Sequence, residues 1–467
     1  MNRYLDDDFA PVPEELTALD LDITGTLPDH LDGRYLRIGP NPAIDPGESY
    51  HWFLGEGMVH GVRLEEGRAR WYRNRWVRPR SGDFAPNTNV LSHAGRTMAL
   101  VEAGSPPYEL DEELDTLGRC GFAGDLRAGY TAHPHEDPAT GELHAISYSW
   151  TRGNRVDYSV LGADGRLRHQ AEVEVHGSPM MHDCALTEHY VVLYDLPVTF
   201  DVDMALGDVP RPARPAVRFV LNRIIGRNPA PDRIVDLMAR GQGAPTQLPY
   251  SWNADYPARI GLLPREASSV AGPAPVRWFD IDPCFVFHTL NAFEDPDTGE
   301  VVIDVVRHDK MFATRFDGPD EGPASLVRFT LDLTSGKARE HRYDEHAQEF
   351  PRCDERRTGR RHRYGYSVGF TGERLGDSIL KHDTVAGTTQ ERRLGAGRGA
   401  GEFVFVPNSP DSLTDPEDAG VLMGYVLDRS SGLSDLVVLD AATLEDVATV
   451  HLPGRVPAGF HGNWAPT

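Results

Sequence analysis

Short alternating or wholly apolar runs, each bounded by turn residues, dominate the chain. Residues 143–150 follow the turn Pro138-Ala-Thr-Gly141, and 301–306 follow Pro296-Asp-Thr-Gly299. Residues 326–333 lead into Thr334-Ser-Gly336, and 189–194, 421–427, 436–439 and 447–452 read the same way. Each run is short enough for a strand, and the turns between them suit hairpins. Helical periodicity is sparse, so only 112–117 and 234–240 are expected to form short helices. The pattern predicts an all-β protein. No repeat carries a fixed signature, so a propeller, a pair of sandwiches and a large barrel all fit the pattern. Size favours a propeller, because a radial repeat absorbs a long chain in one unit. With no composition shift to mark a linker, residues 1–467 are expected to form one domain.

One segment departs from this pattern. Residues 198–252 are rich in proline and contain an apolar run from Val217 to Ile225, with Arg218 and Arg223 inside it. They read as an insertion away from the sheets. One reading of the run is a packed element. The other is an apolar lip that touches a membrane surface or feeds a hydrophobic tunnel.

Charge and composition narrow the function classes. A formal charge of -24 argues against nucleic acid, whose phosphates require a basic face. The one basic cluster, 352–363, is broken by Asp354 and Glu355 and reads as solvated surface. The four cysteines, Cys120, Cys184, Cys284 and Cys353, form no CxxC pair and suggest neither a zinc ribbon nor a disulfide framework. The acidic N-terminus lacks an apolar core and is not expected to be a signal peptide. No apolar stretch is long enough to span a membrane. The expected location is cytoplasmic, with the 217–225 lip as the route to peripheral membrane contact. No feature demands a protein partner.

Several motifs compete for the chemistry. Gly365-Tyr-Ser-Val-Gly369 matches a nucleophile elbow, but residues 370–376 after it are poor helix material. His133-Pro-His-Glu-Asp137 resembles a two-metal hydrolase signature that would need histidine where Pro138 stands. Residues 395–401 are glycine-rich but match no phosphate-binding pattern. Of nineteen histidines, four stand out by context. His133 and His182 each sit just ahead of a strand run, His288 lies inside Cys284-Phe-Val-Phe-His288, and His461 lies in Phe460-His-Gly-Asn-Trp464. A buried imidazole needs a partner. A closed radial fold can bring one residue from each of several distant strands to one axis.

At this point the chain resembles the carotenoid cleavage oxygenases. The likeness runs through Gly33-Arg-Tyr-Leu-Arg-Ile-Gly-Pro-Asn-Pro42, Tyr50-His-Trp-Phe-Leu-Gly-Glu-Gly-Met-Val-His60 and the four histidine contexts. Gln348-Glu-Phe-Pro-Arg352 and Gly401-Glu-Phe-Val-Phe-Val406 complete it. The resemblance implies a seven-bladed β-propeller capped by a dome of loops and short helices. It implies one axial Fe(II), held by His133, His182, His288 and His461, with O2 as co-substrate. It also implies three supporting glutamates: Glu102 on His182, Glu349 on His288 and Glu402 on His461. His133 is expected to lack a carboxylate partner.

The implied reaction is oxidative cleavage of a C=C double bond in a hydrophobic small molecule. Stilbene cleavers of this family typically carry a lysine just before the first of these glutamates, where this chain has Val101. A valine leaves a phenolic oxygen unpaired, which favours a carotenoid or apocarotenoid over a stilbenoid. Further alternatives are a propeller that binds an apolar ligand without chemistry, and a non-oxidative isomerase or hydrolase using the metal as a Lewis acid.

Overall fold

In the computed structural model the expected runs pair antiparallel, hairpin after hairpin, into seven sheets of four to six strands. The structure describes residues 2–467 apart from 123–125, 127–128, 208, 232–246, 268–271, 320, 373–374 and 411. The sheets are the blades of a β-propeller, numbered here along the chain. Blades 2 and 3 are led by Asn89–His93 and His135–Asp137. Blades 4, 5 and 6 are led by Cys184–Leu186, Phe285–Glu294 and Gln348–Arg352. Leading strands of blades 1 and 2, 3 and 4, 4 and 5, and 5 and 6 touch near the axis.

Blades 1 and 7 are assembled from both ends of the chain. The C-terminal strand Gly462–Pro466 adds to Gly33–Pro40 as the inner edge of blade 1. The N-terminal strand Ile23–Gly25 adds to Asp446–His451 at the outer edge of blade 7. These two pairings close the ring and cover edges that would otherwise present unpaired amides. Apolar faces of adjacent blades then pack on each other. Tyr35, Val62 and Tyr72 of blade 1, for example, share a core with Val421, Met423 and Val438 of blade 7. Gly33–Pro40 is buried at every position, including Arg34 and Arg37, whose guanidinium groups donate to Thr97 and to the carbonyls of Pro457 and Phe460.

Strand boundaries follow the alternation closely. The run at 301–306 is Val301–His308, that at 421–427 is Gly420–Asp428, and that at 143–150 is Glu142–Tyr148. The expected helix at 112–117 is not formed: Glu112 and Glu113 lie in a turn, and Thr116–Arg119 is a strand of blade 2. The Asp111 carboxylate accepts the N–H groups of Glu113 (2.9 Å) and Asp115 (2.8 Å), and Leu114 sits at φ +70° with its side chain buried. This local side-chain turn competes with the helix and wins. The other expected helix, 234–240, lies outside the described residues.

Among its described residues the insertion carries a two-stranded ribbon, Val198–Phe200 with Tyr250–Trp252, and the α-helices Val202–Ala205 and Arg214–Ile224. The 217–225 run is therefore mostly helix. Leu221 and Ile224 are buried, while Phe219 is 63% exposed. No helix among the described residues is long and apolar enough to cross a membrane.

Candidate metal centre

Propeller topology decides what reaches the axis. His133 ends the loop into blade 3, and His182 ends the loop into blade 4. His288 lies within the leading strand of blade 5, and His461 directly precedes the inner strand of blade 1. Glu102 follows Arg96–Leu100 of blade 2 and Glu349 lies in the leading strand of blade 6. Glu402 stands between Arg398–Ala400 and Val404–Pro407 of blade 7. Each of the seven blades thus contributes one of these seven side chains.

The four imidazoles converge, with one nitrogen of each lying within 4.8 Å of the others. Around an ion with imidazole bonds of about 2.1 Å, neighbouring ligand atoms would sit about 3 Å apart and opposed ones about 4.2 Å. Ring centroids of His133 lie 4.4 Å from His182, 5.2 Å from His288 and 4.5 Å from His461.

Three carboxylates fix which nitrogen faces inward. His182 Nδ1 is 3.0 Å from Glu102 Oε1, His288 Nδ1 is 2.5 Å from Glu349 Oε2, and His461 Nδ1 is 3.0 Å from Glu402 Oε1. An ionised carboxylate only accepts, so each Nδ1 carries the hydrogen and each Nε2 keeps a free lone pair. The Nε2 atoms of His133 and His288 are buried and meet no hydrogen-bond partner among the described residues. Orphaned buried nitrogens aimed at one point fit a bound metal ion. Among the described residues, no glutamate carboxylate is paired with His133.

The electrostatics suit a cation. Burial pushes His133 well below its ordinary pKa, and the neighbouring imidazoles add to the effect. Burial also lowers His461, against the opposing pull of Glu402. For His288 burial is outweighed by contact with Glu349, and its pKa rises. Burial works against ionisation of Glu349, but His288 and His308 hold its pKa below the ordinary carboxylate value. Arg352, His461 and the Gly462 N–H do the same for Glu402. A divalent ion here would meet neutral donors and three nearby carboxylates, and binding it would release any proton held on the imidazoles.

Several supporting residues gave no sequence signal of their own. His308 Nε2 meets the other oxygen of Glu349 at 2.8 Å, and the Phe350 N–H donates to Glu349 at 2.6 Å. Phe350 has φ +56° and marks the bulge in the leading strand of blade 6. Aromatic rings close round the centre. Phe287 stands edge-on to His182 at 5.0 Å, and Phe350 stacks on His288 at 5.6 Å. Phe53 meets both Phe287 and Phe460. Tyr250 has a buried hydroxyl without a hydrogen-bond partner among the described residues, and its ring lies 6.0 Å from Tyr148.

The competing motifs are spent on structure. Ser367 is buried in the extended strand Tyr364–Gly369 and bonds Gln348 and His382, so no elbow forms. Asp137 pairs with Arg265. All four cysteines are buried and free.

Fold and site together define a β-propeller with an axial centre of four imidazoles, three of them backed by carboxylates, of which Glu402 is buried and Glu102 and Glu349 are partly so. A solved apocarotenoid-oxygenase structure from Synechocystis, in cobalt-substituted form, is similar at 25% identity, with TM-score 0.79 and coverage of 98% of this chain and 97% of that one. The lignostilbene dioxygenase of Pseudomonas brassicacearum is similar at 26% identity, with TM-score 0.79 and coverage of 99% and 98%. The model of the retinal pigment epithelial membrane protein (RPE65) family matches residues 9–466. A carotenoid cleavage oxygenase of Mycobacterium tuberculosis is 50% identical over 100% of this chain and 98% of its own length. The chain belongs to the carotenoid cleavage oxygenase family, and is an oxidoreductase of the dioxygenase type.

Proposed function

We propose that the protein is a non-haem Fe(II) dioxygenase that cleaves a carbon–carbon double bond of a carotenoid or apocarotenoid, yielding two carbonyl products. The observation that carries this reading is the convergence of His133, His182, His288 and His461, with Glu102, Glu349 and Glu402 on the outer nitrogens of three. Fe(II) held there would supply open coordination positions for O2 beside the substrate alkene. Imidazoles alone do not select iron over zinc, copper or nickel, so the choice of metal rests on the family.

The chain's own residues bind, orient and exclude water. Phe53, Phe287, Phe350 and Phe460 offer flat apolar faces suited to a conjugated polyene. The glutamates hold the Nδ1 protons outward. A cleft of about 690 Å³ with a largely polar rim opens among Glu48, Asp201, Arg315 and Asp317, with Met204 and Phe316 as its apolar members. It adjoins the loop whose Phe312 packs on Phe53 and Phe287, and we read it as the outer end of the substrate path. The exposed Phe219, with the Arg223 guanidinium 4.9 Å above its ring, supports peripheral contact with a membrane surface, from which so apolar a substrate would be drawn by a cytoplasmic protein.

The test uses anaerobically prepared, Fe(II)-loaded protein offered β-carotene, a long apocarotenal and a 4-hydroxystilbene, with and without O2. Polyene-derived aldehydes formed only with O2 are the expected result, and their masses locate the bond. Product formed without O2 would favour Lewis-acid chemistry, and binding without product would leave an apolar-ligand carrier.

Stilbene cleavage is the second reading, since the lignostilbene enzyme matches the fold equally well. Val101, directly before Glu102, stands against it. Val101→Lys is expected to raise the rate of benzaldehyde formation from 4-hydroxystilbene, followed by absorbance. No gain in a folded, metal-loaded variant would refute the role given to this position.

A further inference from the structure

Asp183 is a buried carboxylate to which the proposed reaction assigns no part. Its Oδ1 accepts the Cys184 N–H at 2.7 Å and meets His135 Nε2 at 2.8 Å, while its Oδ2 accepts the Thr289 N–H at 2.7 Å. The placement of these partners is what matters. Asp183 follows His182, Thr289 follows His288, and His135 stands two residues beyond His133. One carboxylate therefore joins blades 3, 4 and 5 where each carries one of the converging imidazoles.

Local structure supplies the bonds. In blade 5 the ladder breaks on both sides of Thr289: Val286 pairs with Arg307, Thr289 with Val305 and Asn291 with Asp304. These irregularities turn His288 toward the axis, and the Thr289 amide bonds Asp183. The Thr289 hydroxyl is held separately by Tyr194 at 2.8 Å. On blade 3, His133 pairs with no glutamate among the described residues. Its backbone N–H donates to Thr131 Oγ1 at 3.2 Å.

We propose that the Asp183–His135 pair is a positioning device for the metal centre. It would give the His133 segment the carboxylate support that the other three imidazoles receive directly, and lock its spacing to His182 and His288. The proposal rests on the four-histidine metal reading above. His135→Ala leaves Asp183 both of its backbone donors, so the fold should tolerate it better than Asp183→Ala, which strands two amides.

The test titrates anaerobic, metal-free full-length protein with Co(II) under chelator competition, reading the visible absorption bands and Kd. Thermal unfolding of the metal-free protein is measured alongside. His135→Ala is expected to bind Co(II) about 10–100-fold more weakly, with altered bands and a metal-free Tm near wild type. His135→Gln, whose amide N–H can reach Asp183, is expected to restore most of the affinity. A lowered Tm with unchanged Kd and bands would reduce the pair to a structural contact and overturn the proposal, as would wild-type values throughout. Failure of wild type to bind one equivalent of Co(II) would instead overturn the metal centre itself.

Discussion

His288→Ala is expected to lose both bound metal and turnover. The side chain offers the centre its orphaned Nε2, and no other described donor stands in its place. Its removal also strips Glu349 of the contact at 2.5 Å, leaving that partly buried carboxylate with His308 and the Phe350 N–H. The two losses act together, since the remaining ligands lose a neighbour and gain an uncompensated charge on one flank. Metal content by elemental analysis and product formation from an apocarotenal are the measurements, with circular dichroism to show that the propeller persists. Near-normal turnover with metal still bound would remove His288 from the ligand set and with it the four-histidine assignment.

Glu349→Gln is expected to produce the second-largest effect, about a 10–100-fold loss in metal affinity or activity. Glutamine keeps nearly the same shape and can still accept from His288 Nδ1. What it loses is the negative charge that makes the imidazole a better donor and offsets a divalent ion. Its amide must also choose an orientation, because Glu349 accepts on both oxygens, from His288 on one and His308 on the other. Metal affinity by chelator competition, followed by kcat and KM on the reloaded enzyme, separates weaker loading from slower chemistry. Wild-type affinity and kcat in the Glu349→Gln variant would leave Glu349 a packing residue only.

Legibility from sequence differs by the range of the interaction concerned. The strand at 421–427 is readable because its apolar pattern and the turns beside it are local, and it appears as Gly420–Asp428. At 112–117 local propensity misleads, because a short polar side chain, Asp111, satisfies the backbone amides first. In the 217–225 run, apolar content is visible, but the helix that buries Leu221 and Ile224 and leaves Phe219 outside is not. The seven residues gathered on the axis are identified through family motifs. Nothing in their spacing points to the pairings, which join residues 80, 61 and 59 positions apart.

His308, Asp183 and His135 mark the limit of sequence reading. His135 falls in a motif that suggests a different metal site, His308 and Asp183 carry no signal of their own, and the role of each follows from what another blade places opposite it. The sequence by itself determined the mostly-β character, through period-two patterning, and the acidic balance that disfavours nucleic acid. Only the tertiary structure supplied the geometry of the glutamate–imidazole pairs that the family resemblance implies, and showed that one aspartate ties three of the histidine-bearing segments together. The physical reason is that alternation acts between neighbours along the chain. Convergence on an axis depends on closing the ring, through Ile23–Gly25 on Asp446–His451 and Gly462–Pro466 on Gly33–Pro40, and on bulges whose direction is set by the packing of whole blades.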